Sequence, residues 1–304
     1  ILRSLHGFLW AAAGTSTNTI GCDTVPASRF GEGVGYLGLT NSLAMVIGPS
    51  LGLIIWNAFG DWPLFLSISL FNLLALFMLR FVSFKNIERK TFAGSSPLHH
   101  RLLRLFDKRA LPASVLLFFI CLPGGAVSAF LALYAAATGV GDAGLYFACQ
   151  ALGTGFTRVF GGRLSDRHGE GPAVYVGGLC FFVGLILLSV AGSNWLFYAA
   201  AVSYGVGYGL TMPALQTMSL RTVPLQRRGA ASSTYLSSFD VSFGLGGLLG
   251  GLLVDSVGYQ YMLASMGISI IACMAIYYFW AAKTPSAHHM FQLNQQAAMQ
   301  RARA

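Results

Sequence analysis

The chain has 304 residues, 55% of them hydrophobic and 10% charged, with a formal net charge of +9 and a mean hydropathy of +0.64. An ordinary soluble domain carries about 25% charged residues, so a water-soluble globule is excluded. A nucleic-acid-binding stripe goes with it, because such a stripe needs a wetted basic face.

In chain order, apolar runs predict helices near 1–20, 33–56, 62–82, 111–137, 142–160, 171–191, 195–219, 229–253 and 259–282. A helix needs about 20 apolar residues to cross a hydrocarbon core of about 30 Å. The runs are continuous and rich in Leu, Phe, Ala and Gly, whereas barrel strands alternate. The predicted class is an all-α membrane protein of about nine transmembrane helices, with the lipid bilayer as its solvent. Lys and Arg of the connections fall at Arg29, through 80–109, at Arg163 and Arg167, at Arg221, Arg227 and Arg228, and from Lys283 onward. These are alternate connections. The opposite set, near 57–61, 138–141, 192–194 and 254–258, has neither residue, so the positive-inside rule makes the basic side and the C-terminus cytoplasmic. Trp56, Trp62, Trp195 and Trp280 stand at predicted helix ends, where indole favours the headgroup layer.

The first helix carries Arg3 and His6, three residues apart and so on one face. They read either as an intramembrane functional pair or as an arginine snorkelling to the headgroups. The second contains Gly33-Val34-Gly35-Tyr36-Leu37-Gly38, a dinucleotide-like spacing that lacks the preceding strand such a site needs. The five cysteines form no CxxC, and His288-His289 is a weak metal signal. No metal site, cofactor or enzymatic constellation is expected. In the eighth helix, Asp240 lies about 18 Å along the axis from Arg228, near mid-bilayer. Inserting such an acid costs about 2.5–3.5 kcal/mol, so it is a candidate proton or cationic-substrate site. The rival is a structural aspartate hydrogen-bonded beside Ser237, Ser238 or Ser242.

Sliding the sequence by 198 positions superposes Thr24-Val25-Pro26 on Thr222-Val223-Pro224, Arg29 on Arg227, Gly31 on Gly229, Gly48 on Gly246, Leu51-Gly52 on Leu249-Gly250, Gly60 on Gly258 and Ser67 on Ser265. Helices one to three therefore repeat helices seven to nine in the same orientation, a parallel six-helix repeat of a kind found in transporters. Counterparts of helices four to six would precede residue 1, which leads to the expectation of an N-terminally truncated molecule. The organisation is 1–82, a remnant of the N-terminal half with three helices; 83–110, a central cytoplasmic basic link; 111–282, a C-terminal six-helix half; and 283–304, a cytoplasmic tail.

Between the fifth and sixth helices stands GGRLSDRHG. Its Gly162, Leu164, Asp166, Arg167 and Gly169 match the G-x-L-x-D-R-x-G signature of the major facilitator superfamily (MFS), which the chain resembles along its whole length. The resemblance implies the fourth to twelfth helices of an MFS-type bundle, three plus six of a six-plus-six architecture. It also implies alternating access, with Gly162, Arg163, Leu164, Asp166, Arg167 and Gly169 as a conformational latch in which Asp166 pairs with Arg163 or Arg167. The rival is a topology signal with incidental surface pairs. Ala44, Gly48, Pro49 and Gly52 resemble the family's G-x-x-x-G-P-x-x-G-G exporter motif, with Ala44 and Leu53 in place of glycines. Arg3 and Gly7 resemble its R-x-x-x-G pattern, linked to proton handling. Asn41, Phe130, Tyr134, Tyr146, Gln150 and Tyr235 are candidate cavity residues on helices that line the cleft in that plan. What the resemblance implies is secondary active transport of small organic molecules, proton-coupled efflux of a drug, metabolite or metallophore-like substrate, in a bacterial inner membrane. The alternatives are an uptake symporter and a membrane fragment that transports nothing.

Overall fold

The computed structural model describes residues 2–25, 29–81, 106–221, 223, 224 and 227–281. The basic link before Phe106 and the tail after Ala281 lie outside them. The described residues form eight α-helices and no strand: α1 (Leu2–Thr24), α2 (Phe30–Phe59), α3 (Asp61–Leu79), α4 (Leu111–Thr138), α5 (Ala143–His168), α6 (Glu170–Ser189), α7 (Asn194–Arg221) and α8 (Arg228–Phe279). Within α8, Gly258 is non-helical (φ 81°, ψ 172°) and splits the helix into two arms, 228–257 and 259–279. Nine helical segments result, with the last break inside the connection predicted at 254–258.

Gly60, the repeat mate of Gly258, separates α2 from α3 with φ 81° and ψ −167°. Both copies thus turn through the same backbone conformation, one open to glycine and strained for any residue with a Cβ. Gly169 (φ 80°) makes a third such turn between α5 and α6.

Among the described residues, four helical stretches are long and apolar enough to cross a membrane by composition alone: Asp61–Leu79, Lys108–Thr138, Glu170–Ser189 and Arg228–Phe279. Helices α5 and α7 have the length, at 26 and 28 residues, but carry polar groups turned inward. The Thr154 hydroxyl donates to the Gly205 carbonyl at 3.1 Å and the Thr157 hydroxyl to that of Val206 at 3.3 Å. Polar side chains in hydrocarbon are tolerated where they face protein. That is why a single-helix hydropathy reading underrates these spans.

One core joins α4 to α8. Leu116, Leu117, Phe181, Leu185, Phe197, Leu215 and Ile270 are fully buried in it. Backbone packs on backbone at several seams: a Cβ at Gly205 would collide with the Gln150 carbonyl on α5, one at Gly207 with the Gly177 carbonyl on α6, and one at Gly246 with the Leu122 carbonyl on α4. Small residues serve this purpose in membranes, where no hydrophobic force drives helices together and close van der Waals contact must do so. The α4–α8 seam also carries two cross-helix hydrogen bonds, from Ser238 to the Ser114 carbonyl and from Ser242 to that of Phe118.

Helices α1 to α3 are attached differently. Helix α3 has no buried residue, and most of α1 is exposed. The helices dock on the rest through the C-terminal end of α1 and the N-terminal end of α2, where Cys22 and Val34 cluster with Ala110, Leu220, Val223 and Ala231. This is the end of the bundle where the basic connections lie. Trp56, Trp62 and Trp195, all at least 50% exposed, mark the opposite end.

Candidate functional site

The signature GGRLSDRHG is almost wholly helical. Helix α5 runs through His168, and only Gly169 turns, its N–H donating to the Ser165 carbonyl at 3.1 Å. The expected loop is therefore the last turns of α5, and helical spacing decides which residues share a face. Gly162 is buried, but the close approach to α7 is made by its neighbour: a Cβ on Gly161 would lie 2.8 Å from Leu210 Cα. Leu164 is half-buried and Arg167 exposed; the side chain of Asp166 lies outside the described part.

Arg163 reaches to the other half. Its Nε and Nη2 donate to Glu32 Oε1 on α2 at 3.0 and 2.8 Å. Two more polar contacts join the halves at this end. Arg228, in the first turn of α8, pairs with Asp23 of α1 at 2.9 Å. Gln216 Nε2 of α7 donates to Asn18 Oδ1 of α1 at 2.6 Å. Asn18 and Gln216 are themselves separated by 198 residues, so in this contact a position meets its own repeat mate. At the opposite end, the described tertiary hydrogen bonds stay within one half, as in Gly141 N–H to Asn194 Oδ1 at 2.9 Å and Asp142 N–H to the Tyr198 hydroxyl at 3.0 Å. The halves are tied at the basic end.

Two further pairs lie inside the larger half. Glu170, directly after the signature, is buried and accepts from Arg221 at the end of α7, 3.2 Å, with side chains 5% and 8% exposed. Asp107 caps the turn before α4, accepts from Arg109 N–H at 3.0 Å, and pairs with Arg227 at 2.6 Å. Burial pushes the Asp107 carboxyl up, but the Arg109 amide and the Arg227 guanidinium prevail and hold it below the usual carboxylate range.

The remaining candidates scatter. Asp240 is exposed on α8. It sits two residues from both Ser238 and Ser242, about 200° around the helix from the seam they make with α4, so those serines are engaged elsewhere. His6 is exposed near the start of α1, far from the basic end, and the Arg3 and Asn41 side chains lie outside the described part. Two of the aromatic cavity candidates spend their hydroxyls on packing. Tyr134, 1% exposed, donates to the Leu188 carbonyl at 2.9 Å, and Tyr235, 5% exposed, to that of Met212 at 3.3 Å. Phe130 packs beside Gly250 and Gly251. Tyr146 and Gln150 differ: both lie on α5, and the Tyr146 hydroxyl and Gln150 Oε1 are buried with no hydrogen-bond partner among the described residues. The helix-seam motif makes no close contact here. Ala44 and Gly48 are exposed, nothing lies within 4 Å of a Cβ built on Gly48, and one on Gly52 would meet only Leu64, at 3.9 Å; the Pro49 ring lies outside the described part. Its repeat mate Gly246, by contrast, packs against Leu122.

Charged residues absent from the sequence reading complete the site: Glu32, Asp23, and above all Arg158. Arg158 is 8% exposed near the middle of α5, facing α2, where a Cβ at Gly38 would overlap its guanidinium. Its place inside an apolar run is visible in the sequence by the criterion that singles out Asp240.

The Major Facilitator Superfamily profile matches residues 113–296, more than half of the chain. The chain belongs to the major facilitator superfamily. Among curated MFS proteins it is 27% identical over 284 residues to the uncharacterized MFS-type transporter YhhS of Escherichia coli K12, covering 90% of this chain and 65% of that protein. It is 24% identical over 291 residues to the staphylopine export protein of Staphylococcus aureus Mu50, covering 90% and 71%. The chain thus spans about two thirds of the length of YhhS. Among solved structures, the MFS transporter FucP in the outward conformation superposes with a TM-score of 0.65 at 15% identity, over 87% of this chain and 72% of that one. An MFS fold, multi-pass and membrane-embedded, follows from the family and the apolar helices.

Proposed function

We propose that the chain carries out proton-coupled efflux of a small organic molecule across a bacterial inner membrane by alternating access, and that the structure represents the state closed on the cytoplasmic side. The observation that carries this reading is the position of the polar contacts between the halves. Arg163–Glu32, Arg228–Asp23 and Gln216–Asn18 all lie at the basic end, which the positive-inside rule makes cytoplasmic. Rocking one half against the other must break these contacts. In this reading the latch of Gly162, Arg163, Leu164, Asp166, Arg167 and Gly169 takes Glu32 as its partner across the halves. An exposed pair is worth under about 1 kcal/mol, enough to bias a balanced two-state equilibrium without locking it. Asp240 is the leading proton site, with Arg3 and His6 as further candidates. The similarity to the staphylopine export protein supports export over uptake and makes staphylopine the first substrate to test.

The test is transport in proteoliposomes. Staphylopine is expected to accumulate against an imposed proton gradient, to stop accumulating when a protonophore collapses it, and to lose its pH dependence in Asp240→Asn. Staphylopine moving with the proton flux rather than against it would establish an uptake symporter. No movement under any gradient would overturn the proposal.

A further inference from the structure

We infer that Arg158 is the anchor for a negatively charged group, a carboxylate, on the molecule this chain carries. The inference deepens the transport reading, but the binding it specifies is measurable without transport.

Four observations converge. Arg158 lies eleven residues from Gly169, about 16 Å along α5, so it sits near the middle of a hydrocarbon core of about 30 Å. A guanidinium cannot be neutralised there by losing its proton, and intramembrane cations of this kind mark substrate and ion pathways. Second, the guanidinium occupies the boundary between the halves: it lies over Gly38 of α2, where even a methyl group would overlap it. A group bound at this boundary is exposed or enclosed as the halves part or close. Third, Arg158 is only 8% exposed, so a group paired with it there is shielded from water. Fourth, α5 carries Thr154, Gln150 and Tyr146 at successive intervals of four residues before Arg158, winding from the α2 side toward α7. Gln150 Oε1 and the Tyr146 hydroxyl are buried there without hydrogen-bond partners among the described residues. Gln150 lies eight residues, about 12 Å, beyond Arg158. A planar guanidinium pairs with a carboxylate through two parallel hydrogen bonds, and an unfilled amide oxygen accepts an N–H or O–H. The ligand class that suits both groups is an elongated carboxylate with a hydrogen-bond donor at its far end.

The experiment measures binding to the detergent-purified full chain by tryptophan fluorescence, with matched probes: benzoate against benzamide, succinate against succinamide, and hippurate against hippuramide. At least one acid is expected to bind, with its amide weaker by about tenfold or more, as loss of a charged hydrogen-bonded pair requires. Arg158→Gln should lose about tenfold or more for the acids, and Arg158→Lys less, because it keeps the charge but not the fork. Gly38→Ala, which crowds the guanidinium without removing it, is the control should Arg158→Gln fail to fold, and it too should weaken the acids selectively. Gln150→Leu should weaken hippurate, which carries an N–H, more than benzoate, which does not. Equal binding of acids and amides, no binding of any acid, or unchanged acid affinity in both Arg158→Gln and Gly38→Ala would overturn the assignment. Acids that bind through Arg158 but are not moved in proteoliposomes would count against the transport reading and leave the site standing.

Discussion

Residues 30–79 and 228–279 carry the same pattern at an interval of 198, and both turn at a glycine with φ 81°. Their surroundings differ completely. The second arm of α8 buries Met262, Leu263, Met266, Ile270, Cys273 and Tyr277, whereas α3 buries nothing. Gly246 is jammed against α4; Gly48 faces open space. The backbone turn is thus a property of the segment itself, while burial is a property of its neighbours. Charge shows the same division. Asp23 and Arg221 are repeat mates of opposite sign, and one reaches across the halves to Arg228 while the other closes a buried pair with Glu170 inside its own half.

The largest effect that would sharpen this contrast lies in those pairs. Arg221→Met leaves Glu170 buried without its cation and should cost about 3 kcal/mol or more, while Asp23→Asn, at a wetter site, should cost under about 1 kcal/mol. Thermal unfolding in detergent reads both, and equal losses would break the comparison. Next come the seams: Gly246→Val should cost about 1–3 kcal/mol through overpacking, and Gly48→Val should stay within about 0.5 kcal/mol. A Gly48→Val variant as damaged as Gly246→Val would mean that α2 has a packed partner there. The turns should behave alike, since their backbone is alike. Gly60→Ala and Gly258→Ala should each cost about 1 kcal/mol for the positive φ.

The smallest effect is the pH response of the tie between Asp107 and Arg227. The Asp107 carboxyl is held below the usual carboxylate range when folded, so the unfolded chain binds its proton more readily. Its contribution is therefore complete above the ordinary aspartate pKa of about 3.9 and is lost as pH falls through the depressed folded value. Asp107→Asn should therefore lower stability near neutrality and flatten the acid limb, so that its profile and that of the parent chain converge below the depressed folded value.

Much of this fold was legible in the sequence because hydrophobic length and the repeat are local signals. The break between the last two helices and the family signature follow from residues read in order. The latch partner did not. Glu32 stands 131 positions from Arg163, and nothing in either neighbourhood specifies that they meet; only the docking of the halves does. Aromatic cavity candidates failed to separate for a related reason. Tyr134 and Tyr235 look like Tyr146 in sequence, yet two hydroxyls find backbone carbonyls within the bundle and the third has no partner among the described residues. Arg158 needed no docking information to be noticed, because a cation within a span is conspicuous on its own; its setting between the halves did.

The contact of Asn18 with Gln216 carries a consequence for what can occupy the centre of such a molecule. Where two equivalent segments meet at matching positions, the side chain there faces its own counterpart, as on the dyad of a homodimer. Two like carboxylates would repel, and so would two guanidiniums; a carboxamide, which both gives and receives hydrogen bonds, complements itself. Divergence into Asn on one side and Gln on the other retains that self-complementary chemistry, which like charges at both positions would have lost.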